Sequence, residues 1–395
     1  MLSEKIQSIS PSPTLAIDSK FKEMKANGVD VVGFGAGEPD FNTPAHICEA
    51  AIKAIADGKT RYTPAAGTMA MRQAVADKLK RENGLDYKAT DIVVTNGAKH
   101  ALVNAFMAIC NPGDEVIIPA PFWVSYTEMV KIADGVPVIL QTKEENQFKA
   151  SAEEYEALIT DKTKAIILNS PSNPTGMIYT EEELKKIAEI AVKHNIYVVS
   201  DEIYEHLIYE GSHTSIASFG EKIKDLTIII NGVSKTYAMT GWRIGYTASN
   251  STLAKAMASL QSHATSNPNS IAQEAAIAAL EGGLGCVEEM KKAFVERRNY
   301  MVETINNIPG VSCIMPNGAF YIMMNISQLF GKTICGTVIN NADDFANAFL
   351  DKAKVAVVPG TGFAAPEYVR WSYATAMENC EEGLNRLKKF INNEY

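Results

Sequence analysis

No stretch of the 395-residue sequence approaches the roughly 18 apolar residues that a membrane-spanning helix requires. No pair among its six cysteines (Cys48, Cys110, Cys286, Cys313, Cys335 and Cys380) has CxxC spacing, so neither a zinc site nor a thioredoxin-type motif is expected. The scatter fits reduced thiols, most of them buried as small apolar side chains. Positive charge is in deficit, with 37 Lys and Arg against 46 Asp and Glu, a net charge of −9. Such a field repels nucleic acid and anionic membrane alike, so neither is an expected partner. The opening residues Met1-Leu2-Ser3-Glu4-Lys5-Ile6 carry an early acid and no apolar stretch. A signal peptide is therefore not expected, and the cytoplasm is the expected location. What is present is ordinary globular material, 46% apolar and 21% charged, enough for a large core and incompatible with disorder. At about 150 residues per domain, the length suggests two or three domains.

Short β-branched runs alternate with helical patterns. Ile92-Val93-Val94 predicts a strand, after which Leu102, Val103, Phe106 and Ile109 recur at helical spacing. Asn111-Pro112-Gly113-Asp114 stops that helix before a second strand, Glu115-Val116-Ile117-Ile118. Ala165-Ile166-Ile167-Leu168, Ile196-Tyr197-Val198-Val199 and Thr227-Ile228-Ile229-Ile230 are further strands. Thr180, with Glu183 three residues on, has the form of a capping box at a helix start. Strands separated by helices imply βαβ units and a mainly parallel sheet, with ligands at the carboxyl ends of its strands. Towards the C-terminus, helical stretches near 287–306 and 343–352 flank the apolar runs 320–324 and 355–358, which reads as a smaller α+β unit.

Two strand ends carry residues suited to chemistry. Asp201 stands where the strand through Val198-Val199 should finish, and a carboxylate on a partly dry sheet edge needs a cationic or donor partner. Alone, it also fits a helix cap. Lys235 follows the strand at 227–230 in a small, apolar setting, with Arg243 eight residues on. A partly desolvated lysine near another cation has a lowered pKa and acts as an amine nucleophile, although a lone lysine is usually a solvated surface group. Arg243, planar and always charged, suits a phosphate.

The stretch Gly232-Val233-Ser234-Lys235-x-x-Ala238-Met239-x-Gly241-Trp242-Arg243-Ile244-Gly245 resembles the lysine signature of class I pyridoxal-phosphate aminotransferases. Five more segments resemble that family in order along the chain: 35–41, 61–67, 96–102, Asn169-Ser170-Pro171-Ser172-Asn173-Pro174-Thr175-Gly176, and 369–374. Among subgroups the likeness is to bacterial Ib-type aspartate aminotransferases, through 36–41, Trp123-Val124-Ser125-Tyr126 and 238–243.

The resemblance implies the fold type I α/β architecture. A large domain over 46–290 would hold a mostly parallel seven-stranded sheet, and a small domain would combine 1–45 with 291–395. It implies pyridoxal 5′-phosphate as cofactor, with Lys235 as the Schiff-base lysine and proton shuttle. Asp201 would pair with the pyridine nitrogen and keep the ring an electron sink. Tyr204 and Asn173 would hydrogen-bond the ring's phenolic oxygen. Arg243, Ser234 and the helix start at Gly97, Ala98 and Lys99 would hold the phosphate. Trp123 would stack on the ring and also line the substrate pocket with Asn173. Tyr62 would reach the phosphate of a neighbouring subunit, making a homodimer a condition of activity. Arg370 would clamp the substrate α-carboxylate, with the Gly37 backbone nearby.

These motifs favour an aminotransferase that passes the amino group of aspartate to 2-oxoglutarate. Aromatic, alanine or prephenate donors, or a β-lyase outcome, share the same lysine, aspartate and arginine. The stretch 261–270 has no arginine of the kind with which Ia-type enzymes read the side-chain carboxylate. Ser12 and Thr14 of the N-terminal segment are candidates for that pocket. A DNA-binding regulator on this fold is not expected, given the early start of the pattern and the acidic charge. Gly33-Phe34-Gly35-Ala36-Gly37 lacks the strand and distal acid of a dinucleotide site. His194 and His206 read as surface or satisfied histidines, Glu181–Glu183 as a solvated first helical turn, and Met323 and Met324 as core.

Overall fold

The computed structural model describes residues 2–11 and 13–395, without the side chains of Pro13–Ala16 and Asp18. Seven strands form the central sheet: β1 (Ile92–Thr95), β2 (Glu115–Ala120), β3 (Val136–Gln141), β4 (Thr163–Asn169), β5 (Tyr197–Asp201), β6 (Thr227–Gly232) and β7 (Gly245–Ala248). Their order is β1-β7-β6-β5-β4-β2-β3. Only β7 runs against its neighbours, so the other six direct their carboxyl ends to one edge.

Continuous apolar runs suit strands buried on both faces. In β4, Ala165 and Ile167 pack with Leu102, Phe106 and Met257 in one layer. Ile166 and Leu168 turn to Tyr155, Leu184 and Ile187 in the other. The capping box expected at 180–183 is formed: Thr180 Oγ1 accepts from the Glu183 amide at 3.3 Å, and the Glu183 carboxylate accepts from the Thr180 amide at 2.7 Å. Two strands escape the sequence reading. β3 begins Val-Pro-Val at the sheet edge, and β7 starts on Gly245, the last residue of the lysine signature.

The second unit is built on β8 (Tyr321–Asn325) and β9 (Tyr368–Ser372), which pair antiparallel. The apolar run 355–358 is not one strand. Val355–Ala356 pairs with Val32–Gly33, and Val358–Pro359 pairs with β9. The chain steps between sheets at Val357 while remaining buried throughout. Phe34 and Trp371 meet at 4.6 Å between ring centroids, so the N-terminal segment shares the C-terminal core.

Candidate active site

A cavity of about 310 Å³ opens at the carboxyl edge of the sheet. Its floor is made by strand ends. Asn169 closes β4 and Asp201 closes β5 in direct register, and the chain leaving β6 at Gly232 runs on to Ser234 and Lys235. Glycine is needed where the wall beside Arg243 is assembled. A Cβ on Gly245 would lie 2.3 Å from the Ala98 amide nitrogen, so β7 passes directly against the start of the helix Ala98–Ile109. A Cβ on Gly97, which has φ +84°, would lie 2.4 Å from Arg243 Nη2. That helix has no side-chain cap, so its first amides and dipole face the cavity.

Lys235, Asp201, Tyr204, Ala98, Lys99, Trp123, Asn173, Ser234, Arg243, Gly37 and Arg370 all line this one cavity. Gly97 stands behind Arg243. Tyr62 is apart from them and 91% exposed. Ser12 and the Thr14 side chain lie outside the described residues.

Burial pushes the Asp201 carboxyl up to about 6, against the pull of the Tyr126 hydroxyl. Burial, with the positive fields of Arg243 and Arg370, lowers the Lys235 ammonium to about 8, while Glu38 and Asp201 oppose the shift. Lys235 Nζ donates to the Gly37 carbonyl. Lys99 is also lowered, by burial and by Arg243, and its ammonium sits 4.9 Å from the Trp123 ring centre. Arg370 is fully buried, donating to Asn173 Oδ1 and the Gly35 carbonyl, both at 3.0 Å. Its Nε has no partner among the described residues.

The sequence reading assigned no role to Tyr126, Tyr321 or Asn169. Tyr126 donates to Asp201 Oδ2 at 2.6 Å, Tyr321 bonds Tyr204 at 3.0 Å, and Asn169 Oδ1 accepts from the Asn173 amide at 2.8 Å.

A helix start and an arginine for a dianion, an indole beside them, a buried carboxylate and a low-pKa lysine together fit pyridoxal phosphate. The unpartnered Arg370 Nε is suited to a carboxylate. This fold and site define a fold type I pyridoxal-phosphate enzyme. The profile described as "Aminotransferase class I and II" matches residues 29–387, and the chain belongs to that family. It is 52% identical over 392 residues to an aspartate aminotransferase of Bacillus sp. (strain YM-2), covering 99% of each chain. It is 47% identical over 393 residues to a probable aspartate/prephenate aminotransferase of Aquifex aeolicus, covering 99% of this chain and 98% of that one. Among solved structures, the Rhizobium meliloti aspartate aminotransferase superposes with TM-score 0.96 at 41% identity, covering 100% and 99% of the two chains. The Thermus thermophilus aspartate aminotransferase with maleate superposes with TM-score 0.94 at 44% identity, covering 99% of each. The protein is a pyridoxal-phosphate-dependent aminotransferase.

Proposed function

We propose that the enzyme transfers the amino group of aspartate to 2-oxoglutarate. The observation that carries this reading is four cations, Lys99, Lys235, Arg243 and Arg370, on one cavity of a protein with net charge −9. Arg243 and the helix start are suited to the cofactor phosphate, and Arg370 to the substrate α-carboxylate as a planar fork. Lys235 is the amine nucleophile. That leaves Lys99, the remaining cation of the wall, for the second carboxylate of a dicarboxylic substrate. The names of the Bacillus and Thermus relatives agree with an aspartate donor.

Bound pyridoxal phosphate supplies an electron-withdrawing ring that stabilises negative charge at the substrate Cα. Asp201 would hold the proton on the ring nitrogen, and Tyr204 and Asn173 would hydrogen-bond the ring oxygen. With the cofactor bound, Lys235 Nζ would be the group that moves the substrate Cα proton, and an amine near pKa 8 suits both accepting and returning a proton. Trp123 and the Gly37 backbone wall the substrate, and Ser234 adds a donor for the phosphate.

The working unit is a homodimer in this proposal. Tyr62 is exposed, as are Ile52, Ile55 and Met69 of the neighbouring sequence, apolar side chains that a second copy would cover. The large domain is taken as 46–290 and the small domain as 1–45 with 291–395. A cytoplasmic setting accords with six free cysteines.

A donor–acceptor screen tests the substrate. Oxaloacetate formation from aspartate and 2-oxoglutarate is expected to exceed pyruvate formation from alanine in kcat/KM, and the reverse order would overturn the assignment. Prephenate belongs in the same screen, because the Aquifex relative is named for it.

A further inference from the structure

Tyr321 and Arg370 stand together for a topological reason. In the β8–β9 ladder Arg370 is paired with Met323 and Ser372 with Tyr321, so Tyr321 and Arg370 are diagonal neighbours on one face. The guanidinium carbon lies 4.5 Å from the centre of the Tyr321 ring. On its other side, the Tyr321 hydroxyl is 3.0 Å from that of Tyr204, which belongs to the segment leaving β5. Both phenols are buried. The two groups expected to touch the cofactor's ring oxygen and the substrate's carboxylate are therefore joined by one tyrosine.

A phenol has one proton to give, so the direction of the Tyr204–Tyr321 bond decides what Tyr204 can do. A cation over an aromatic face withdraws electron density and makes that ring's hydroxyl the better donor. Arg370 stands over Tyr321. The other charged groups facing the pair are Asp201 and Lys235, and the Lys235 ammonium is 6.0 Å from the centre of the Tyr204 ring. Among the causes acting on Tyr321, Arg370 pulls its hydroxyl towards acidity, against burial.

We infer that Tyr321 is a positioning residue: it donates to Tyr204 Oη, so that Tyr204's own proton is directed at the cofactor's ring oxygen. This rests on the proposed roles of Tyr204 and Arg370. The contact also joins the strand that carries the substrate clamp to the segment that carries the cofactor ligand.

The test is the pH midpoint of the visible absorption of the bound cofactor, measured on the holoenzyme and on Tyr204→Phe, Tyr321→Phe and the double variant. Removing one hydroxyl from Tyr321 leaves its ring packed on Phe320, at 4.7 Å between centroids. Tyr204→Phe is expected to raise the midpoint, because the deprotonated chromophore loses a donor. Tyr321→Phe is expected to raise it by about 0.5 pH unit or more, a roughly threefold change in proton affinity. The double variant is expected to match Tyr204→Phe, since Tyr321 acts only through Tyr204. A shift in Tyr204→Phe with none in Tyr321→Phe overturns this inference alone. No shift in Tyr204→Phe overturns the role of Tyr204 and the inference with it. Additive shifts show that Tyr321 acts by another route and also overturn it.

Discussion

Asp201 illustrates how a single buried group is set by opposing effects. Dehydration raises its carboxyl and the Tyr126 hydroxyl lowers it, leaving it near 6. Replacing Tyr126 with Phe removes the lowering contribution. Asp201 should then take up its proton at higher pH, and the acid limb of the kcat/KM profile should move upward by about one unit. An unmoved limb would separate Tyr126 from Asp201. Arg370→Ala should raise the KM for the amino acid far more than it weakens cofactor retention, measured by titration of apoenzyme with pyridoxal phosphate. Lys235 and Asp201 stood out in the sequence because their chemistry is unusual in an apolar setting, whereas Arg370 was singled out only through the family resemblance. Tyr126 and Tyr321 were not, since their meaning lies in contacts spanning 75 and 117 residues, and a tyrosine in a core-like pattern reads as packing.

Local chemistry fixes the elements to different degrees. The helix start at Thr180 was readable because its capping box is a short-range pattern, and Thr180→Ala should cost about 1 kcal/mol of unfolding free energy with turnover unchanged. The junction of β7 with the helix Ala98–Ile109 depends instead on a close approach. Gly245→Ala would place a methyl 2.3 Å from a backbone nitrogen, so the helix start must shift. Chemical denaturation should show a lower midpoint, and cofactor affinity should fall with it; an unchanged affinity would mean that the helix start does not hold the phosphate. The strands missed were those whose local pattern is overridden. Pro137 interrupts β3, tolerated because β3 is an edge strand, and β7 is short and opens with that glycine. The split of 355–358 between two sheets was likewise invisible, because both halves are equally apolar.

The molecule as a whole concentrates charge in two buried places, of which only the first is set against its overall sign. One case is the cationic cavity. The other is a buried cluster behind it, where the Lys78 ammonium contacts Glu205, Asn231 and Asn83 bond the same carboxylate, and His213 lies 3.2 Å from Glu202. Burial pushes Glu205 upward, but Lys78 and the two neighbouring histidines outweigh it and hold Glu205 far below the carboxylate range. Burial pulls His213 down, but Glu202 and Glu205 outweigh it and hold the imidazole above its ordinary value. The stability from His213 is full below the ordinary histidine value of about 6.5 and lost as pH rises through its folded value. The stability from Glu205 is full above about 4.3 and lost as pH falls through its depressed folded value. His213→Gln should flatten the alkaline decline of the unfolding midpoint. Lys78→Met should cost about 3–5 kcal/mol by leaving carboxylates unpaired. The change in element pattern along the chain after the central sheet was legible, and a separate three-stranded sheet is found there. The cluster was not legible, because Lys78 is 127 residues from Glu205 in sequence.

The most direct measurement is a single turnover followed by the visible absorption of the bound cofactor. Mixing holoenzyme with L-aspartate alone should remove the band, and adding 2-oxoglutarate should restore it, with L-alanine and L-phenylalanine reacting more slowly at equal concentration. In Lys235→Ala the cycle should be absent. A band that alanine or phenylalanine removes faster, or a cycle that survives the loss of Lys235, would contradict the reading of this site.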